Sequence, residues 1–399
     1  MSSLLPTIEG GPTSRSRSYG AIVWRQLRRR RAAMVSLGVI VVLALAAVLA
    51  PFIAGEVPIR WVAGGQTSWP IFHYLTNVEY AAMLAFVLMA ALPLTVRLLR
   101  ARAERVGVSP FARAMLLHAA VWVVVVGLLV AFREPQRRYG FYLERRDQAR
   151  SAWFPLIPTS RNPGYEELAH RDQRPSWQHP LGTDRLGEDV VLRILYGART
   201  AMSIGFVAVG IGSAIGISLG SLSGYFGGRM DLALMRVAEI FMFIPTLILI
   251  IIILTVIPSS VPPLWAVVGV IGVTGWTGSY RLMRAELLRI RGEDYMTAAR
   301  ALGIPTWRLL LRHAVPNGMA PILVGATFGI AGAIFLEVTL AFLSLVNTPS
   351  WGELLNDGRQ HLETWWVWGS AGVAIFVTVL VYNLLGEAIR DAIDPKLKL

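Results

Sequence analysis

Few residues in this chain are equipped for reactive chemistry, and where they stand says more than how many there are. The six histidines are scattered and cysteine is absent, which excludes disulfides, thiolate metal sites and cysteine nucleophiles. No G-x-x-x-x-G-K-[ST] string and no HExxH occurs, so neither a nucleotide-binding loop nor a zinc helix is present in the sequence. One polar segment between apolar spans is organised enough to do mechanical work: EDYMTAARALGIPTWRLLLRHAVPN, Glu293 to Asn317. Asp294 is placed to cap a helix through Leu302, Gly303 to end it, and Pro305 to begin a second helix. Two short helices meeting at a glycine, flanked by membrane, predict a rigid knob in water. Such a part suits the receipt of force from a soluble partner.

The elements that position the knob follow from composition. The 399 residues are 54% hydrophobic and 16% charged, with mean hydropathy +0.53, a balance that soluble domains rarely show. The net charge of +13 does not point to nucleic acid, because the arginines mostly flank apolar runs, as orientation in a membrane with anionic headgroups requires. The basic run Arg28–Arg31 precedes an apolar stretch, Ala32–Ala54, that is longer than a signal-peptide core and lacks an A-x-A site near its end; it is read as a retained first span.

Eight spans are expected: 33–54, 80–97, 114–132, 200–224, 233–257, 265–283, 319–344 and 365–387. At 1.5 Å per residue each approaches or exceeds a ~30 Å hydrocarbon core, with 80–97 and 114–132 the shortest. With residues 1–32 cytoplasmic, the arginine-rich segments 97–113, 281–312 and 390–398 fall on the same side, whereas 55–79, 258–264 and 345–364 hold only Arg60 and Arg359. Both termini are therefore expected inside, with the tail 389–399, and the knob lies there too. Residues 133–199 form an external loop, read as an extended scoop; their length puts them beyond the positive-inside rule. Carboxylates within spans are few. Glu239 stands one turn into its helix, within reach of the interface, and Glu337 lies near a span end.

These residues resemble a known family. The cytoplasmic coupling loop of ABC importer permeases reads EAA, three residues, Gly, nine residues, then I-x-L-P; Ala298, Ala299, Gly303 and Pro316 match, while Thr297, His313 and Val315 depart. The R-H-x-x-P-N ending of its peptide-importing branch is matched by Arg312, His313, Pro316 and Asn317. From His179, HPLGTDRLGEDVVLRILYGAR is similar to the HPLGTDxxGRDVLSRLIYGAR of dipeptide and oligopeptide permeases through Gly182, Thr183, Asp184, Gly187, Asp189, Tyr196, Gly197 and Arg199, with Glu188 where arginine is usual. A helix from about Glu188 to Tyr196 is expected near the outer surface before the chain enters the membrane. GYFGGRMDLALMRVAEIFMFIP matches a second motif through Gly227, Gly228, Asp231, Arg236 and Pro245. Glu337 stands in an L-E-x-x-L string, Asn347 precedes a P-S-W-G turn, and NLLGEAIRDAIDP carries Arg390, Asp391 and Asp394 of the family's ending. The resemblance covers 179–399. The hairpin 80–132 has no counterpart in the usual six-span form, and inserting two spans leaves the orientation of everything after it unchanged.

The resemblance implies an all-α polytopic fold: a type I ABC importer permease core, 200–388 with its coupling loop at 289–317, preceded by an extra two-helix hairpin. It implies a non-catalytic subunit in a prokaryotic cytoplasmic (inner) membrane, working with a homologous second permease, two ABC ATPase subunits that bind ATP and Mg, and an extracytoplasmic substrate-binding protein. Membrane lipid surrounds it; no nucleic acid and no metal or other cofactor is expected in this chain. The cargo implied is a di- or oligopeptide, with nickel or another small solute as the alternative within the family. An ion-driven secondary transporter is the rival outside it. It calls for intramembrane carboxylates or inverted repeats, and only Glu239 and Glu337 present themselves. A membrane-embedded enzyme calls for clustered polar groups within spans, and none is seen.

Overall fold

A backbone in hydrocarbon must satisfy its own N–H and C=O groups, and helices do so within one segment. The computed structural model describes residues 19–393 except 56, 76, 101–109, 133–141, 143–148, 150, 158–170, 259, 260, 262 and 347, and it is mostly helical. Asn347 and Asp394 thus lie outside the described residues, as does much of the long loop. Among the described residues, five helical stretches are long and apolar enough to cross a bilayer, six if one bent pair counts as a single crossing.

The basic helix α1 (Tyr19–Arg29) is followed at Arg30 by extended backbone and then by α2 (Arg31–Ile53). Strands β1 (Arg60–Ala63) and β2 (Gln66–Ser68) form a hairpin through Gly64 and Gly65, both at positive φ. After α3 (Pro70–Tyr74), the extra hairpin consists of α4 (Asn77–Arg100) and α5 (Pro110–Phe132). Strand β3 (Ser151–Trp153), from the long loop, pairs antiparallel with β1, so the sheet runs β2-β1-β3. Part of the expected scoop is therefore folded onto the segment after the first span.

The core begins with α6 (Val190–Ser203), a π-turn at Ile204–Ala208, and α7 (Val209–Phe226), together one stretch of 37 residues. The helix expected from Glu188 to Tyr196 is thus continuous with the stretch that runs on through α7. α8 (Gly228–Phe243) and α9 (Thr246–Val256) meet at 87°. The cause is local: Pro245 forces Ile244 into the extended region (ψ 124°), where a helix cannot continue. α10 (Pro263–Thr274) and α11 (Trp276–Ile290) are separated at Gly275. Then come the knob helices α12 (Asp294–Ala301) and α13 (Thr306–Leu309), a second π-turn at Leu310–Ala314, and α14 (Val315–Phe342). The amphipathic α15 (Trp351–Gln360) and the long α16 (Trp365–Ile393) complete the chain.

The tightest packing in the core follows from glycines spaced by four. A Cβ on Gly216, Gly220 or Gly224 of α7 would lie 2.6 Å from the carbonyl oxygen of Trp276, Tyr280 or Arg284 respectively, residues that are themselves four apart on α11. Backbone lies against backbone along this seam, the arrangement that small residues permit in membranes. It fixes α11, and α11 carries the knob. Arg30 donates to Asp391, which puts the start of α2 and the end of α16 on one side.

Candidate functional site

The knob is a short helix pair on an apolar keel. Met296 and Leu309 are fully buried, and with Leu310 and Ala314 they pack against Met283, Leu287 and Ile290 of α11. Leu302 is the α12 C-cap, and Gly303 follows at φ +70°. The Ile304 N–H donates to Ala299 O at 3.2 Å and the Gly303 N–H to Arg300 O at 3.0 Å. That pair of bonds is the Schellman termination, which needs a left-handed residue between the helix and its continuation. Gly303 fills the role the sequence assigned to it. The start of α12 is different: Glu293, not Asp294, occupies the N-cap position, with no side-chain cap, and Asp294 opens the first turn, where its negative charge interacts favourably with the positive end of the helix dipole.

Two cross-links hold the helices. Asn317 Nδ2 donates to the Tyr295 hydroxyl at 3.2 Å, and the Arg300 guanidinium donates to the carbonyls of Met296 and Arg291. The two alanines divide. Ala298 is exposed, whereas Ala299 is half-buried and packs on the keel, so of the two motif alanines only Ala298 is open to a partner. Outward from the keel stand Leu302 (81% exposed), Trp307 (62%) and Leu311 (63%), an apolar surface on a polar element. Arg312 and Pro316 are exposed beside it, the latter in the first turn of α14.

The HPLGTD segment builds a latch at the opposite end of the core. Gly182 (φ +74°) lies where a Cβ would meet Gln173 O and the Trp366 ring, and Trp366 Nε1 donates to Thr183 O at 3.0 Å. Thr183 Oγ1 accepts from Gln173 N at 2.9 Å. Asp184 Oδ1 accepts from the N–H groups of Leu186 and Glu188. Asp189 caps α6 through Val191 N at 2.7 Å, and its second oxygen lies 2.9 Å from His179 Nδ1. These residues hold the entrance of α6 against α16.

The GYFGGRMD turn is also explained by its contacts. Gly227 (φ +67°) and Gly228 (φ +58°) reverse the chain between α7 and α8. Asp231 then takes a two-pronged bond from Arg284, Nε at 2.5 Å and Nη2 at 2.7 Å, and accepts from Ser223 as well. Asp231 therefore ties α8 to α11 and does not simply face water. Arg236 pairs with Glu239 at 2.6 Å on the exposed face of α8, so Glu239 is partnered at a helix surface.

Residues 216–399 match the family model described as "Binding-protein-dependent transport system inner membrane component", and residues 18–66 match "N-terminal TM domain of oligopeptide transport permease C". The oligopeptide transport system permease protein OppC of Bacillus subtilis is 38% identical over 236 residues, 58% of this chain and 76% of the relative. The dipeptide transport system permease protein DppC of Alkalihalophilus pseudofirmus is 35% identical over 250 residues, 61% of this chain and 80% of the relative. The inner membrane ABC transporter permease protein YejE of Escherichia coli is 38% identical over 226 residues, 55% of this chain and 65% of that protein. The chain belongs to the OppC/DppC family of peptide permeases.

The permease holds three features that the sequence reading passed over. Arg193, nearly buried, is met by Asp184 at 2.6 Å, Asp357 at 2.7 Å, Glu353 at 3.3 Å and Glu188 at 3.6 Å. Its sequence signal is faint: an arginine three residues from a tyrosine, with partners more than 150 residues away in α15. The Gly216–Gly224 seam was legible as small residues every four positions. The same run spells G-x-S-x-G at Gly216–Gly220, a nucleophile string in other folds, but Ser218 lies within a continuous helix and donates to Ala214 O at 2.8 Å. The third is a cavity of about 280 Å³ between α7, α11 and α14, bordered by Ser213, Ser279, Gly278, Gly329 and Gly332 and by no charged residue. Glu337 of the permease is buried elsewhere, accepting from Thr348 at 3.3 Å where α14 meets the loop to α15. Arg390 is exposed near the end of α16.

Proposed function

We propose that this permease forms half of the translocation path of a peptide ABC importer and is driven through the 289–317 loop by ATPase subunits that bind its knob. The observation that carries the reading is the glycine-terminated helix pair, rigid on a buried keel and apolar outside. An element built only to face water has no need of Leu302, Trp307 and Leu311 exposed together. The chain itself is non-catalytic; ATP and Mg are bound and used by the partners. A second, homologous permease closes the other half of the path, and an extracytoplasmic binding protein delivers the peptide. The uncharged cavity beside Gly329 and Gly332 suits a path that passes peptide main chain without selecting side-chain charge. The termini and knob are cytoplasmic in a prokaryotic inner membrane. Alternation between inward- and outward-open states requires the ATPases to bind ATP differently in the two states.

Gly303→Asp is the direct test. A side chain at φ +70° costs roughly 1 kcal/mol even where space is open, and here it also sets a charge on the apolar surface. Membrane insertion is expected to be normal, with ATPase co-purification and peptide uptake both reduced. An exposed strand change, Ser68→Asp, spares both. Normal uptake by Gly303→Asp with ATPases bound refutes coupling through this loop.

A further inference from the structure

The extra hairpin is joined to the core by a buried ion pair. Glu79, in the first turn of α4 and 8% exposed, lies with Oε1 at 2.5 Å from Nη1 of Arg199 on α6. Arg199 ends the segment resembling the family's usual form, whereas Glu79 belongs to the hairpin that has no counterpart in that form; both lie between residues 66 and 216, outside the two family models. A hairpin serving only as a lipid-facing anchor has no use for a carboxylate buried against the core, because removing two charges from water is costly unless they are held together.

The surroundings of this pair show what it acts on. On the α4 side, the Tyr80 hydroxyl donates to Phe72 O at 2.7 Å and Trp122 Nε1 donates to Ala81 O at 3.0 Å, so α3, α4 and α5 are joined near Glu79. On the core side, Thr200 donates to Pro349 O at 2.6 Å, Trp351 Nε1 donates to Ile194 O at 3.0 Å, and Arg193 gathers Glu353 and Asp357. The outer limb α6 and helix α15 are thus one assembly, and Arg199 is where the hairpin grips it. Beginning five residues beyond Arg199, the π-turn Ile204–Ala208 separates this limb from α7. Such widened turns are weak points in a helix and recur at functional sites.

We infer that the α4–α5 hairpin is a brace: through Glu79 it positions the outer limb α6, and with it α15, relative to α7 across the Ile204–Ala208 turn during transport. Glu79 and Arg199 are positioning residues that touch no cargo. The inference rests on the permease reading for its link to uptake, but the brace itself is a matter of geometry and has its own readout.

The test uses the full permease assembled with its partners in proteoliposomes. Glu79→Gln is expected to keep ATPase association and the KM for peptide, while kcat for uptake falls about tenfold. The charge exchange Glu79→Arg with Arg199→Glu is expected to recover most of that loss, whereas Glu79→Arg alone does not. Hydrogen exchange supplies the second readout: Glu79→Gln should speed exchange in α6 and α15 and leave α11 unchanged. Wild-type kcat in Glu79→Gln, or an exchanged pair as impaired as the single change, overturns the brace. If the wild-type assembly takes up no peptide, the permease reading fails, and unaltered exchange in α6 then still overturns the brace by itself.

Discussion

Arg193 of α6 and Asp357 of α15 meet at 2.7 Å across 164 residues of sequence, and the same guanidinium also reaches Asp184, Glu188 and Glu353. Four carboxylates around one cation leave an excess of negative charge in the cluster. Arg193→Gln is therefore expected to destabilise the outer rim by about 3 kcal/mol, as loss of one partner in a buried ion cluster does. Thermal unfolding in detergent reads the loss. The deficit should shrink in high salt, because Glu353 and Asp357 are partly exposed and their repulsion is screened. A deficit that is the same at low and high salt would assign Arg193 a packing role instead.

The α7–α11 seam predicts a sharp contrast between glycines of one helix. Gly220 leaves a Cβ 2.6 Å from Tyr280 O, whereas Gly210 has nothing within 4 Å. Gly220→Ala must push backbone away from backbone and is expected to cost about 1–3 kcal/mol, the usual range for overpacking. Gly210→Ala should be neutral or slightly stabilising, since alanine is the better helix former. Equal thermal stability of the two variants would show that the seam is looser than described.

The contrast between seam and rim explains what the sequence made legible. Apolar length and the Gly303 spacing are local signals, so the helical membrane fold and the end of α12 could be read in advance; eight spans were expected, and among the described residues five helical stretches, or six with the bent pair, are long and apolar enough to cross. The Arg193 cluster and the Glu79–Arg199 pair join residues far apart in sequence, and no local pattern reports a partner's position. The start of α12 was misread by one residue because Glu293 and Asp294 are both acidic and the N-cap position here carries no side-chain bond to mark it. The β1–β3 pairing was missed because strands of three or four residues are too short to show a period of two.

Orientation yields a third prediction. The Arg30–Asp391 pair sets the start of α2 and the end of α16 on one side, and the arginine asymmetry predicts that this side is the cytoplasm. The chain has no cysteine, so single replacements report cleanly. Ser68→Cys, on exposed β2, should react with an impermeant thiol reagent in intact cells, and Thr306→Cys, exposed on the knob, only after lysis. The opposite pattern inverts the topology and removes the knob from ATP.

Ala298 and Ala299 separate docking from folding. Both stand in the family's coupling motif, but only Ala298 faces out; Ala299 packs on the keel and its carbonyl receives the Ile304 N–H that closes α12. A tryptophan at Ala298 adds bulk where a partner groove would close and disturbs nothing beneath. Ala298→Trp should leave thermal stability within ~0.5 kcal/mol of the parent, as surface changes usually do, while ATPase co-purification falls. Ala299→Trp overpacks the keel against Met296 and Leu309, so it should lower stability by about 1–3 kcal/mol before any effect on docking is read. If Ala298→Trp binds the ATPases normally and only Ala299→Trp loses them, the docking surface is not the Leu302–Trp307 side. The partners would then have to grip the knob from its α11 flank.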